Sequence, residues 1–180
     1  MAGAGTTEAT LVEILATRNN AEIKAIKASY EHQFKRDLEK YLMSETGGHL
    51  KRILVSLVQA SRDESDHVDQ GKAAEQAAQL KAAGEKCIGT DESAFNRIFM
   101  TSSPAQLRAV LAEYRKISDY DLTRVVEKEM SGDLEDAFIA LIESVRNQPK
   151  LFARFLHKAM IGAGTNDTAL VFYFKIALSV

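Results

Sequence analysis

Two stretches of this 180-residue chain carry the same candidate chemistry at the same spacing. A glycine in the pair Gly-Thr is followed 40 residues later by a carboxylate, first as Gly5 to Glu45 and again as Gly89 to Glu129. Each carboxylate stands three residues before a further glycine, Gly48 or Gly132. Glycines let the backbone turn tightly and present its carbonyl oxygens. Carbonyls joined by one bidentate carboxylate form a hard-oxygen donor set. With no histidine or thiolate in the pattern, that set suits Ca²⁺ rather than Zn²⁺. Three carbonyls and one carboxylate supply about five of the roughly six to eight oxygens that Ca²⁺ takes. Water or another molecule must provide the rest, so an anionic headgroup could complete the shell. The same residues admit a second reading. Gly-Thr ahead of a helix is a common pair of caps, and an acidic residue ahead of a helix often only caps it. Spacing alone leaves both open.

The elements that would position these groups are helices. Two prolines and ten glycines punctuate the chain sparsely. Ile23, Ile26, Tyr30 and Phe34 recur at helical spacing, as do Leu50, Ile53, Leu54, Leu57 and Val58, and then Leu107, Val110, Leu111 and Tyr114. No strict alternation lasts long enough for a half-buried strand. Ser103-Pro104-Ala105-Gln106 offers a cap, a proline at the first helical position and a glutamine where a capping box wants one, and Asn19 with Glu22 does the same. The fold class is all-α.

The chain also resembles itself. A gapless shift of 84 pairs residues 5–58 with 89–142, and fifteen of those 54 pairs are identical, where roughly three are expected by chance. Gly164-Thr165 opens a third unit. Such repeats bury their apolar faces against one another. The first unit (residues 1–60) predicts helices over about 7–17, 20–33, 36–44 and 47–60, and the second (71–147) over 91–101, 104–116, 119–129 and 132–146. A helix over about 72–83 leads into Gly84, and Lys150 to Met160 leads into Gly162. Residues 61–70 are polar and acidic with no apolar stripe and read as a linker, and 148–180 as a partial third unit.

Composition narrows the function. A net charge of −2, from 23 basic and 25 acidic residues, provides no basic field for nucleic acid. No apolar run exceeds six residues, far short of the roughly 18 that a membrane span needs. No secretory signal is visible, and the single cysteine, Cys87, forms no internal disulfide. The four histidines lack metal-site spacing and read as surface residues. The acidic stretch Asp63 to Asp69 lacks an EF-hand frame. No nucleophile elbow, phosphate loop or zinc-protease motif occurs, so no enzyme is expected.

Met1-Ala2-Gly3-Ala4-Gly5-Thr6, Gly84 to Glu92 and Met160-Ile161-Gly162-Ala163-Gly164-Thr165 resemble the calcium loops of annexins. So do the corners Glu45-Thr46-Gly47-Gly48 and Glu129-Met130-Ser131-Gly132, and Arg62-Asp63-Glu64 in the linker. The likeness runs from residue 1 to about 171, with the units matching the second and third annexin repeats and the start of the fourth. It implies annexin-type five-helix repeats, the two units packing as one module, and Ca²⁺-dependent peripheral binding to acidic phospholipid membranes. The first site would use the carbonyls of Met1, Gly3 and Gly5 with the carboxylate of Glu45. The second would use Gly84, Cys87 and Gly89 with Glu129. Glu8 and Glu92 match minor calcium positions. Met160, Gly162 and Gly164 match a partial site whose carboxylate would fall at 204, and Ile88 matches a membrane-touching loop tip. By that pattern the chain lacks the first repeat, and its sequence departs from the family after 171. The expected module folds around 20–146, with 1–6 and 172–180 loose, and is cytoplasmic and peripheral to membranes when calcium is present. The alternative is a calcium-independent helical interaction module or dominant-negative fragment. It would use, or self-associate through, the surface that the missing repeats leave bare.

Overall fold

The computed structural model describes residues 8–85, 90–161 and 170–171. Among these it is all helical: α1 (Glu8–Ala16), α2 (Asn20–Phe34), α3 (Leu38–Glu45), α4 (Gly48–Val58), α5 (Gln70–Glu85), α6 (Glu92–Thr101), α7 (Pro104–Ile117), α8 (Leu122–Glu129), α9 (Gly132–Arg146) and α10 (Gln148–Met160). Residues 1–6 and 172–180, expected to be loose, lie outside the described residues.

Local chemistry sets the helix ends. Asn19 and Glu22 form a full capping box, with Asn19 Oδ1 accepting from Glu22 N at 2.9 Å and Asn19 N donating to Glu22 Oε2 at 2.8 Å. Ser103 accepts from Gln106 N at 3.1 Å, but the Gln106 side chain does not close the box. It reaches instead to Asp69, accepting from its N–H at 2.9 Å and donating to its carbonyl at 3.1 Å. The third helix of each unit starts later than its apolar pattern suggests, because Asp37 and Asp121 intervene as caps. Asp37 accepts from Lys40 N at 2.8 Å and Asp121 from Thr123 N at 3.0 Å. The helix expected to reach residue 60 stops at Val58, and Ala60 takes a left-handed φ of 52°.

The units pack reciprocally. Helix α1 lies on α9, and its repeat counterpart α6 lies on α4, while α4 and α9 meet between them. This is the contact pattern of a two-fold pair, in which one surface meets its own copy. The apolar stripe of α4 is buried, with Ile53, Leu54, Leu57 and Val58 all at 0% exposure. In the second unit Phe138 takes Phe95 and Phe99 edge-on, at centroid distances of 5.4 and 5.6 Å. Segment 61–69 carries no helix yet is strapped down at both ends. Glu64 Oε1 accepts from Asn20 N at 2.6 Å, the Arg62 carbonyl accepts from Asn20 Nδ2 at 2.8 Å, and Gln106 clamps Asp69. No helix among the described residues is long and apolar enough to cross a membrane.

Candidate metal site

The second unit brings its loop and its carboxylate together. Helix α5 ends at Gly84-Glu85, and the chain returns at Thr90, where Asp91 N donates to Ala83 O at 3.0 Å and closes the loop at its base. Thr90 Oγ1 donates to the Glu129 carbonyl at 3.2 Å, tying that base to the end of α8. Gly84 and Glu129 then line one pocket of about 330 Å³, with Glu85, Tyr120, Arg124, Val125 and Lys128. Gly84 is required here for close approach. A Cβ would meet Val125 Cγ1 at 2.8 Å and Phe95 Cζ at 3.4 Å, so any side chain would push the helix end off α6 and α8.

The turn after the carboxylate is glycine-dependent for a different reason. Gly132 has φ +61° and its counterpart Gly48 φ +57°, both left-handed, with open space where a Cβ would stand. Neither preceding residue, Ser131 or Gly47, caps its helix through a side chain. The glycines therefore turn the chain sharply enough to set Glu129 and Glu45 at the mouth of α9 and α4. Lys128 Nζ, itself exposed, sits 3.1 Å from Oε1 of the half-buried Glu129, a surface pair whose loss costs little. Glu45 is exposed at the end of α3. Its expected partners Met1, Gly3 and Gly5 lie outside the described residues, as do Cys87, Ile88 and Gly89 of the second loop and Gly162 and Gly164 of the third. Met160 ends α10 and is 53% exposed.

Among the described residues no three His, Cys, Asp or Glu side chains converge on one point. Gly84 and the carboxylate residues Glu85 and Glu129 line one pocket, and the oxygens such residues offer suit a hard cation.

The annexin family model matches residues 1–57 and 76–141. The chain belongs to the annexin family. It is 46% identical to human annexin A11 over 169 residues, which is 94% of this chain and 34% of that protein. Annexin A8 superposes with a TM-score of 0.89 at 40% identity, covering 96% of this chain and 54% of that one. Annexin (Sm)1, solved with calcium bound, gives a TM-score of 0.82 at 29% identity over 96% of this chain and 53% of that one. The chain thus spans between a third and about half the length of these relatives.

In this annexin the two minor candidates fall on equivalent contacts between the units. Glu92 opens α6 with Oε2 3.9 Å from His49 Nε2 at the start of α4. Glu8 opens α1 beside Asp133 at the start of α9, and burial, then the charge of Asp133 and a hydrogen bond to it, raise the Glu8 carboxyl above its ordinary value. Glu8 pairs with Glu92, and His49 with Asp133, under the 84-residue shift.

Sequence reasoning passed over the brace beneath the second loop. Tyr114, wholly buried, donates its hydroxyl to Glu85 Oε1, and Ser118 Oγ donates to the same oxygen at 2.5 Å. Burial and the adjoining Glu85 carboxylate push the Tyr114 phenol well up from its usual value, which keeps it a donor. Lys81 also donates to the Ile117 carbonyl. The repeated tyrosine, Tyr30 and Tyr114, was the available signal, although its partner Glu85 has no counterpart among the described residues.

Proposed function

We propose that this annexin binds acidic phospholipid membranes peripherally and only with calcium. Its first site uses the carbonyls of Met1, Gly3 and Gly5 with Glu45, and its second those of Gly84, Cys87 and Gly89 with Glu129. Glu8 and Glu92 serve minor positions, Met160, Gly162 and Gly164 an incomplete third site, and Ile88 the loop tip. The observation that carries this reading is the closure at the second unit, where Thr90 holds the loop base against Glu129 at 3.2 Å and Gly84 shares its pocket. Calcium-bound annexin (Sm)1 supports the choice of ion.

Bound calcium supplies a bridge from protein oxygens to a lipid phosphate. The chain's own part is to hold the oxygens. Gly132 and Gly48 aim the carboxylates, Gly84 lets α5 end against α8, and Tyr114 fixes Glu85 next to Gly84. A site with one carboxylate is weak alone, on the order of 10⁻⁴–10⁻³ M. A phosphate that completes its shell tightens the ion, and the ion tightens the membrane by the same factor. Two such sites on one face add through effective concentration.

The test is co-sedimentation with phosphatidylserine vesicles in millimolar Ca²⁺ and in EGTA, for the chain and for the double variant Glu45→Gln/Glu129→Gln. Sedimentation with Ca²⁺ that disappears in EGTA and in the variant is expected. Vesicle binding that ignores EGTA, or that survives both substitutions, would overturn the reading.

A further inference from the structure

Opposite the calcium loops lies a second concavity. The chain forms it where α1 and α9 end and α2, α7 and α10 begin, with the strapped linker as one wall. It encloses about 260 Å³ and is lined by Arg18, Arg62 and Arg108 together with Thr17, Asn19 and Gln148. Helix α9 runs from the Glu129 corner at one end to this cavity at the other. Its 15 residues span about 22 Å, so the two places are at opposite poles of the molecule.

Three guanidinium groups line it, and three buried nitrogens of Arg18 and Arg62 find no acceptor among the described residues. Arg18 has a side-chain exposure of 12%, and its Nη1 donates to Glu22 Oε1 at 3.1 Å. Its Nη2 is buried with no acceptor among the described residues. Arg62 has both Nε and Nη2 buried in the same condition. Burial also lowers its guanidinium from the ordinary value, against the opposing pull of Glu64, so the charge is held at a desolvation cost. Arg108 is exposed at the rim and forms no ion pair among the described residues. Two carboxylates face this group, and both are engaged: Glu22 in the Arg18 pair, and Glu64 with Oε1 on Asn20 N at 2.6 Å. Buried N–H donors on charged groups call for acceptors, and planar guanidinium forks match oxyanions best. The starts of α2, α7 and α10 at the rim add favourable partial charge.

We propose that this cavity is an anion site that takes a phosphate group, with Arg62 at its floor, Arg18 at its side and Arg108 as the gate. The phosphate belongs either to a soluble phosphate monoester or to a lipid headgroup. The face is independent of the calcium loops, so one molecule can hold calcium-bound membrane at one pole and a phosphate at the other.

The experiment titrates inorganic phosphate into the full chain by calorimetry, in EGTA and at constant ionic strength balanced with chloride. Saturable binding is expected, weakened about tenfold by Arg62→Gln through loss of a charge-assisted hydrogen bond. Arg108→Glu, at an exposed residue that pairs with no carboxylate among the described residues, is expected to abolish it. That second variant keeps the test decisive if circular dichroism shows Arg62→Gln to be unfolded. Heats that never saturate, or saturable binding that Arg108→Glu leaves unchanged, would overturn the site. Sedimentation with phosphatidylinositol-4-phosphate vesicles in EGTA separates the sources. Capture lost in Arg108→Glu assigns a headgroup, and phosphate binding without capture assigns a soluble monoester.

Discussion

The first and second units share a sequence pattern but differ in what covers them. In the second unit α7 buries Leu107, Val110, Leu111 and Tyr114, and α5 lies along it. In the first unit the matching helix α2 fully buries only Ile23, leaves Phe34 57% exposed, and lets Tyr30 stack on Phe34 and Tyr41 at 4.8 and 6.2 Å. No counterpart of α5 covers α2 among the described residues. In the second unit the second helix of the repeat packs on the helix that precedes the loop, and the loop's brace uses that same helix.

The largest way to break the comparison is to remove the repeated tyrosine from each unit. Tyr114→Ala is expected to cost about 3–5 kcal/mol, the range for truncating a wholly buried aromatic ring. Tyr30→Ala should cost about 1 kcal/mol, nearer the common value for a point substitution. Urea unfolding of the two variants measures both. Equal losses would mean that α5 does not distinguish the units. Tyr114→Phe sharpens the same point, because it keeps the ring and removes one of the two hydroxyls that hold Glu85. Calcium affinity at the second site should fall while that at the first stays unchanged.

Next come the glycines. Gly84→Ala overpacks against Val125 Cγ1 at 2.8 Å and is expected to cost about 1–3 kcal/mol and to weaken the second site selectively. Gly48→Ala and Gly132→Ala face only left-handed backbone with free space around it, so each should lose about 1–2 kcal/mol. Thermal denaturation of the three proteins would show whether packing, rather than backbone strain, separates the units. A clear gap between Gly48→Ala and Gly132→Ala would contradict that.

The caps extend the contrast to acid. Burial by itself would raise the Asp121 carboxyl, yet Arg146 at 2.7 Å, the Thr123 N–H and Arg115 hold it far below its usual value. Asp37 caps α3 through Lys40 N, with no such pair of arginines among the described residues. A depressed carboxylate contributes stability that is present above its unfolded value, near 4, and is lost as pH falls through its folded value. Asp121→Asn should therefore flatten the loss of stability below about pH 4. Acid titrations of the chain and of this variant, followed by circular dichroism, would record both slopes.

Much of this was legible from residue type and spacing. Apolar periodicity placed the helices, and the shift of 84 residues aligned Glu45 with Glu129 and Gly48 with Gly132, whose left-handed φ angles explain why glycine recurs there. Side chains that act across long separations were not legible. Gln106 looked like half of a capping box because its neighbours were local, but the linker's Asp69 competes for its amide at 2.9 Å and wins. Gly84 looked like a turn residue, whereas its constraint comes from Val125 and Phe95 on other helices. The arginine cavity draws on residues 18, 62 and 108, which no single window of sequence holds together.

The smallest effect is expected where the two units touch through matching residues of different charge. Glu92 faces His49, and Glu8 faces Asp133. The Glu8 carboxyl is raised, so the folded chain binds a proton there more readily than the unfolded one. Stability from that pair therefore grows as pH falls toward the ordinary glutamate range, and the repulsion is fully present above it. At neutral pH Glu8→Gln removes the repulsion and should stabilise, but Glu8 is mostly solvated, so the gain stays within about 0.5 kcal/mol. Glu92 faces His49 Nε2 at 3.9 Å rather than a carboxylate, so Glu92→Gln removes no such repulsion and should leave stability unchanged at that pH. Glu8→Gln is thus predicted to raise the melting temperature at neutral pH and Glu92→Gln to leave it where it is. Equal shifts would show that the carboxylates answer to their own helix ends, α1 and α6, and not to the residues facing them across the contact.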